Sequence, residues 1–212
     1  MRHAKVFFFS LLMVLLVSGA SFAGNVQLTF NNVGGASIGG EYVYPYFFSI
    51  NGSTSQTPLI CDTYNNSITF GESWTANEHG LLSGGGYFSS NPGNTAYEAA
   101  AILFSEIRNG TVDAGNGNLA IWGMLDGGRN NSQWSSYDQT LINNALAAVG
   151  NYNWQFYQQF QVYTPVGGKL GSGPQEFLGF TPVPEPASLP MLGAGLVTLV
   201  GLFGGKFKDL AG

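Results

Sequence analysis

Residue types that carry catalysis are sparse in this chain, and the first to consider is its one cysteine, Cys61. A thiol acts as a nucleophile when a histidine takes its proton. His79 is the only histidine away from the N-terminus, and it stands in a polar stretch where we expect a solvent-exposed ring. Cys61 follows Leu59 and Ile60 in an apolar run, and free cysteines are among the most buried residues. We therefore predict an inert core thiol.

The acidic residues offer two other kinds of site, a carboxylate pair and a metal centre. Asp62 and Glu72 could supply the two carboxylates that glycoside hydrolysis needs. A metal site would add Glu78 and His79, but this spacing matches no metal-binding motif. A β-rich protein brings pairs of carboxylates together by chance, so such a pair does not by itself indicate a glycosidase. We therefore predict no catalytic residue, no metal and no cofactor.

Composition narrows the range of partners. Only 9% of the 212 residues are charged, against roughly 25% in an average protein, and the net charge is −5. Between positions 24 and 183 the only basic residues are Arg108, Arg129 and Lys169. These are too few to neutralise a polyphosphate, so nucleic-acid binding is not predicted. A surface this poor in charge suits a neutral hydrated polymer such as polysaccharide.

Four tryptophans could stack on sugar rings: Trp74, Trp122, Trp134 and Trp154. Such residues more often fill a hydrophobic core. The alternation of apolar residues after position 153 places Trp154 on the core face of a strand.

The N-terminus has the pattern of a secretory signal. Two basic residues precede an apolar run at 6–17, and the small residues Ser21 and Ala23 stand where signal peptidase requires them. As a helix this run would span about 18 Å, well short of a bilayer core of about 30 Å. We expect export by the Sec translocon and removal of residues 1–23 by signal peptidase, so that the mature chain begins near Gly24.

The C-terminus has the pattern of a membrane anchor. Residues 187–205 carry no charge, and as a helix they would cover about 28 Å, close to the hydrocarbon thickness of a bilayer. Lys206 and Lys208 follow, and we expect them on the cytoplasmic side. A core helix of a soluble domain is the alternative, but such a helix normally has a polar face. The pattern therefore predicts a single transmembrane helix.

The segment before this helix reads Pro184-Glu185-Pro186. Its two prolines fix φ and remove backbone donors, so the segment stays extended and open to a protease. With the apolar helix and the short basic tail, the motif resembles the PEP-CTERM sorting signal, also called the ice-binding protein C-terminal domain. Ice binding itself is not expected, because the threonines form no regular array.

The resemblance implies an exported bacterial protein from a cell that makes exopolysaccharide. The precursor would be held in the inner membrane by its C-terminal helix. Exosortase would process it near Pro184, Glu185 and Pro186 and release it to the cell envelope or to a biofilm matrix. The tail here ends in two lysines, whereas the family usually has an arginine-rich cluster.

The residues between the two terminal segments predict one α+β domain at 24–180, followed by the sorting segment at 181–212. Apolar alternation predicts strands at 25–30, 42–50, 59–64, 67–74, 154–163 and 175–180. Asn65-Asn66 predicts a tight hairpin. Helical spacing predicts three helices, at 96–108, 119–125 and 137–149. We expect Asn94 or Thr95 to cap the first helix, and Ser136 with Gln139 to form a capping box on the third. The strands would form a mainly antiparallel sheet or a small barrel.

Loose motifs across 40–180 resemble a recurrent ectodomain of PEP-CTERM proteins with no assigned activity. Two of them, Ile60-Cys61-Asp62 and Ala120-Ile121-Trp122-Gly123, are also similar to bacterial thioester adhesin domains. In those domains a strand cysteine is joined to a glutamine that lies just before an Ala-Ile-Trp helix. The matching position here holds Asn118, which is one methylene shorter. The resemblance makes Cys61 and Asn118 candidates for a cross-link.

Together these patterns predict a non-enzymatic, exosortase-sorted protein with a structural or adhesive role, and exopolysaccharide as a candidate partner. Two alternatives stay open. A matrix enzyme acting on polysaccharide would need two buried carboxylates that face one cleft. A thioester-type adhesin would need the cross-link between Cys61 and Asn118.

Overall fold

Residues 24–181 are described by the computed structural model of the chain, and they form an antiparallel barrel with a layer of helices on one side. The strands are β1 (Gly24–Val33), β2 (Ser37–Ile38), β3 (Glu41–Tyr42), β4 (Tyr46–Ile50), β5 (Gln56–Cys61), β6 (Ser73–Gly80), β7 (Phe160–Pro165) and β8 (Phe177–Phe180). The α-helices are α1 (Asn94–Arg108), α2 (Ala114–Leu125), α3 (Ser136–Ala148) and α4 (Trp154–Tyr157).

Both predicted membrane-directed segments lie outside the described residues. These are the signal peptide at 1–23 and, apart from its first residue, the sorting segment at 181–212, which includes the predicted transmembrane helix at 187–205. Within 24–181, none of the helices combines the length and the apolar character needed to cross a bilayer.

Six strands close the barrel in the order β1-β4-β5-β8-β7-β6, and all neighbours are antiparallel. Leu28 at the centre of β1 pairs with Ile50 of β4 on one side and with Trp74 of β6 on the other. β2 and β3 form a separate two-stranded hairpin. Closure pairs the strand edges that would otherwise be exposed. The predicted α+β class with a small antiparallel barrel is therefore confirmed.

The wall made of β5, β8 and β7 is buried on both of its faces. Leu59, Cys61 and Phe177 belong to the cluster inside the barrel, which α2 completes with Leu119 and Trp122. Ile60 and Leu178 belong to a second cluster, formed against the helices. Successive side chains of a strand point to opposite faces, so a wall with two apolar faces needs a continuous apolar run. This is why Leu-Ile-Cys stands in β5.

The helices are joined to this wall by apolar packing and are capped by local polar groups. α1 contributes eight of the 21 buried residues of this second cluster, more than any other element. Arg108 in its last turn lies 3.5 Å from the centre of the Phe180 ring. The Asp113 carboxylate accepts hydrogen bonds from two backbone N–H groups at the start of α2. Ser135 and Asp138 form a capping box on α3.

Several local predictions were wrong. The segments 59–64 and 67–74 do not form a hairpin, because β5 pairs with β4 and β8 whereas β6 pairs with β1 and β7. The predicted strand at 42–50 divides into β3 and β4. The first half of the predicted strand at 154–163 is the short helix α4, and the Trp154 side chain is 57% exposed rather than in the core.

The predicted caps were also displaced. Gly93, with no side-chain hydrogen bond, precedes α1 in place of a capping Asn94 or Thr95. The capping box on α3 lies one residue earlier than Ser136 and Gln139, because the buried Asp138 carboxylate accepts both the backbone N–H and the hydroxyl of Ser135 at 2.7 Å.

Candidate functional site

Two carboxyl groups meet where β5 ends and β8 begins. Cys61 of β5 pairs with Phe177 of β8. Asp62 directly follows Cys61, and Glu176 directly precedes Phe177. The Asp62 N–H donates to the Glu176 carbonyl at 3.3 Å, which extends the ladder by one residue. Because Cys61 and Phe177 face the barrel interior, Asp62 and Glu176 point the other way, toward the helices. Both residues are fully buried, and we call them the carboxyl pair.

Glu176 is held by three donors. Its Oε1 accepts a hydrogen bond from the Tyr97 hydroxyl of α1, and its Oε2 accepts one from the Thr164 hydroxyl of β7 and one from the Tyr87 N–H at 2.9 Å. Gly86 is required beside this contact, since a Cβ there would collide with the Tyr97 hydroxyl. Three separate segments of the chain are thus fastened to one carboxylate.

Asp62 lacks such support. Neither oxygen of its carboxyl group has a hydrogen-bond donor among residues 24–181. Burial, then the charge of Glu176 and the contact with its carboxyl group, raise the pKa of Asp62 well above its usual range. Asp62 is therefore expected to keep its proton at pH values where an exposed aspartic acid is ionised, and it can donate that proton to the neighbouring carboxyl group of Glu176.

A buried hydrogen-bond chain connects Glu176 to His79, which was wrongly predicted to be exposed. The His79 Nε2 lies 3.0 Å from the Thr164 hydroxyl, and Nδ1 lies 3.1 Å from the Ser83 hydroxyl. Ser83 donates to the Gly80 carbonyl at 2.7 Å. Because the Ser83 hydroxyl has one proton and donates it to the Gly80 carbonyl, that proton is not directed at His79, as it would be in a serine nucleophile. His79 and Ser83 border a surface cavity of about 550 Å³.

The structure brings Cys61 and Asn118 together, and both are fully buried. The contact joins the Asn118 Nδ2 to the Cys61 backbone carbonyl at 2.9 Å. The Asn118 Oδ1 accepts from the Tyr44 N–H at 3.0 Å, and the Cys61 thiol donates to the Thr63 carbonyl at 3.2 Å. Burial, followed by the charge of Asp62, raises the pKa of the Cys61 thiol. The predicted burial of the thiol is confirmed, and the Asn118 amide acts as a clamp between two segments.

The acids that the sequence grouped together are separated in the fold. Glu72 does not share a site with Asp62; its carboxylate accepts from the Thr69 N–H at 2.9 Å within a surface turn. Glu78 accepts from the Tyr163 hydroxyl at 3.2 Å. Among residues 24–181 no three histidine, cysteine, aspartate or glutamate side chains are clustered so as to hold a metal ion.

An open groove lies beside the loop that follows β5. It has a volume of about 240 Å³, and we call it the aromatic groove; its lining residues are Phe30, Glu41, Tyr42, Tyr46, Asn66, Ser67, Ile68, Thr69, Phe70 and Gln175. Phe70 is 57% exposed and Tyr42 is 47% exposed. Phe70 stacks on the buried Phe30, with ring centres 5.0 Å apart and planes inclined by 16°. Tyr42 lies 6.0 Å from Phe70 at an angle of 58°.

Two buried amides build the floor of the aromatic groove. Asn66 donates through Nδ2 to the carbonyls of Lys169, Gly173 and Pro174 and accepts from the Gly171 N–H, so it ties its own loop to residues more than 100 positions away. Gln175 donates to the carbonyl of Asn66 at 2.9 Å. The Gln175 Oε1 is buried and has no donor among residues 24–181.

Neither the aromatic groove nor Glu176 was predicted from the sequence. Phe70 stands in a turn and Tyr42 in the two-residue strand β3, where no alternation separates an exposed aromatic residue from a core one. A signal did exist at Gln175-Glu176, because two polar residues directly precede a buried apolar run and both have to be accommodated inside.

Comparison of the chain with family models, with curated proteins and with solved structures gave no match.

Proposed function

We propose that residues 24–181 are the ectodomain of an exported, non-enzymatic protein that has a structural or adhesive role in the cell envelope or the extracellular matrix. The Sec translocon and signal peptidase would act on residues 1–23. Exosortase would act at Pro184, Glu185 and Pro186, after the C-terminal helix has held the precursor in the inner membrane.

One contrast within the domain supports a binding role over a catalytic one. The carboxyl pair is the strongest candidate for acid–base chemistry, and both of its members are fully buried. A glycosidase needs its two carboxylates on either side of the bond that it cleaves, in contact with substrate. The aromatic groove, in contrast, presents exposed aromatic rings and contains one carboxylate, Glu41. The accessible chemistry is that of recognition.

The charge of the domain supports the same proposal. Three basic residues are spread over the whole of 24–183, so the surface offers no basic patch for a nucleic acid. Asparagine, serine, threonine and tyrosine supply most of its polar groups. A neutral, hydroxyl-rich polymer such as exopolysaccharide is the partner that these groups fit best.

The proposal is tested by the ends and the location of the mature protein. N-terminal sequencing and intact-mass measurement should give a chain that begins near Gly24 and ends near residues 184–186, recovered from the envelope or the matrix fraction. Ala23→Asp should retain residues 1–23, whereas Ala23→Ser, which keeps a small residue there, should be processed normally. A full-length chain in the cytoplasmic fraction would contradict the proposal.

A further inference from the structure

We propose that the aromatic groove binds a neutral sugar unit of a polysaccharide. This inference deepens the proposed function, because it assigns the adhesive role to one place on the domain. It depends on the geometry of the groove and not on how the chain is sorted.

Two exposed aromatic rings, Phe70 and Tyr42, line the aromatic groove and offer a surface on which a sugar can stack. One face of Phe70 is covered by Phe30, and 57% of the side chain remains exposed. Tyr42 adds a second exposed ring, inclined to the first by 58°. An aromatic face carries partial negative charge and attracts polarised C–H groups, which line one side of a sugar ring. The two rings therefore form a corner in which a flat, partly apolar ring can stack.

The second argument is an acceptor that lacks a donor. The Oε1 of Gln175 is buried and unpaired within the described residues, although the Nε2 of the same amide is held by the carbonyls of Thr63 and Asn66. The amide cannot turn over without losing those bonds. A buried acceptor without a donor costs free energy, and a ligand hydroxyl would satisfy it. Gln175 lines the aromatic groove, so a small shift of the groups that cover Oε1 would open this acceptor to a ligand hydroxyl.

The third argument is charge. Glu41 is the one charged residue among those lining the aromatic groove. A phosphate, a sulfate or a uronate would meet a carboxylate and no cation, so an anionic polymer is disfavoured. A neutral sugar can donate hydroxyl protons to the exposed Glu41 carboxylate and, once the atom is uncovered, to the Gln175 Oε1. A volume of about 240 Å³ is small for a ligand site and suits one ring of a chain whose remainder stays in solvent.

The test is affinity gel electrophoresis of the full chain, in a detergent without a sugar headgroup, through gels that contain dextran, hydroxyethyl cellulose or galactomannan, and through a gel that contains alginate. We expect retardation in at least one neutral gel. Phe70→Ala should weaken it about tenfold, as the loss of one stacking contact implies, and Phe70→Trp should keep it. Trp154→Ala is the matched control, because Trp154 is equally exposed but lies outside the groove.

Three results would overturn the inference. The first is an absence of retardation in every neutral gel, and the second is binding confined to alginate. The third is retardation that is the same for Phe70→Ala and the wild type, when the two proteins also have the same melting temperature. Glu41→Gln tests whether the groove binds a cation. If tetramethylammonium binds to the wild type and Glu41→Gln abolishes that binding, the groove would be assigned to cations instead. None of these outcomes alters the processing test above, so the sorting proposal and the groove proposal fail separately.

Discussion

Asp62 and Glu176 lie side by side in the interior, where the backbone N–H of Asp62 donates to the backbone carbonyl of Glu176 at 3.3 Å. Glu176 has three donors, whereas Asp62 has none among the described residues. The pair is placed between the barrel wall and α1, so its protonation is coupled to the packing of the helix layer on the barrel.

This arrangement predicts how stability depends on pH. The pKa of Asp62 in the folded state lies well above its unfolded value, so the folded state keeps a proton that the unfolded chain releases. Asp62 makes its full contribution to the free energy of unfolding below its unfolded pKa of about 4. This contribution is lost as pH rises toward the folded pKa, by at most about 1.4 kcal/mol per pH unit.

Asp62→Asn isolates this contribution. The amide is neutral and can donate to Glu176 as the protonated acid does, so we expect the variant to be more stable than the wild type at neutral pH and the difference to shrink toward about pH 4. Urea unfolding across this range measures it. Glu41→Gln, on the surface, should give no such trend. A difference between Asp62→Asn and the wild type that does not vary with pH would refute the raised pKa of Asp62 in the folded state.

The Tyr97 hydroxyl is predicted to hold α1 against the barrel. It donates to Glu176 and accepts from the Phe88 N–H at 3.1 Å, so Tyr97→Phe leaves two buried groups short of a partner. We expect a loss of about 1–3 kcal/mol in the free energy of unfolding. Tyr137→Phe, at a side chain that is 50% exposed, is the control and should unfold like the wild type. Equal stabilities for the two variants would contradict this role of Tyr97.

The contact between Cys61 and Asn118 predicts a free thiol and an intact amide. Both polar atoms of the Asn118 side chain are already hydrogen-bonded, and the thiol is buried with its pKa raised, which disfavours attack on the amide carbon. Intact-mass measurement should give the full mass of the mature chain, and a thiol reagent should label Cys61 only after unfolding. A mass lower by one ammonia would establish the cross-link instead.

The clamp formed by Asn118 is tested separately. Asn118→Asp keeps the acceptor for the Tyr44 N–H but removes the donor to the Cys61 carbonyl, and it buries a carboxylate among apolar residues. We expect a cost of about 1–3 kcal/mol at neutral pH. Asn144→Asp, at an exposed position of α3, is the control. Normal stability of Asn118→Asp would show that the amide is not a clamp.

The sequence predicted the elements of the fold better than their partners. Val26, Leu28 and Phe30 alternate because β1 has one buried face, and that pattern is local. β5 has a local partner, β4, but its second partner, β8, is not local. Asn65-Asn66 has the composition of a turn, but Asn66 binds carbonyls beyond position 168 and so holds its loop against that distant segment. Nothing near residue 66 indicates such a partner.

The candidate sites were predictable only in part. Asp62 was identified as a chemically interesting acid, but with Glu72 as its partner instead of Glu176. The correct pairing depends on β5 and β8 lying side by side, more than 100 residues apart in the chain. The aromatic groove depends on four separate segments. Spacing along a sequence cannot specify either site when the barrel register decides which residues meet.

The central claim is that the chain is exported and processed at its proline-rich segment. The most direct measurement is a pulse-chase in the producing organism of a variant in which Pro184, Glu185 and Pro186 are all replaced by alanine, with Val183→Ala as the neighbouring control. We predict that the triple variant accumulates as uncleaved precursor in the inner membrane, while Val183→Ala is released like the wild type. Release of the triple variant at the normal rate and size would contradict the account.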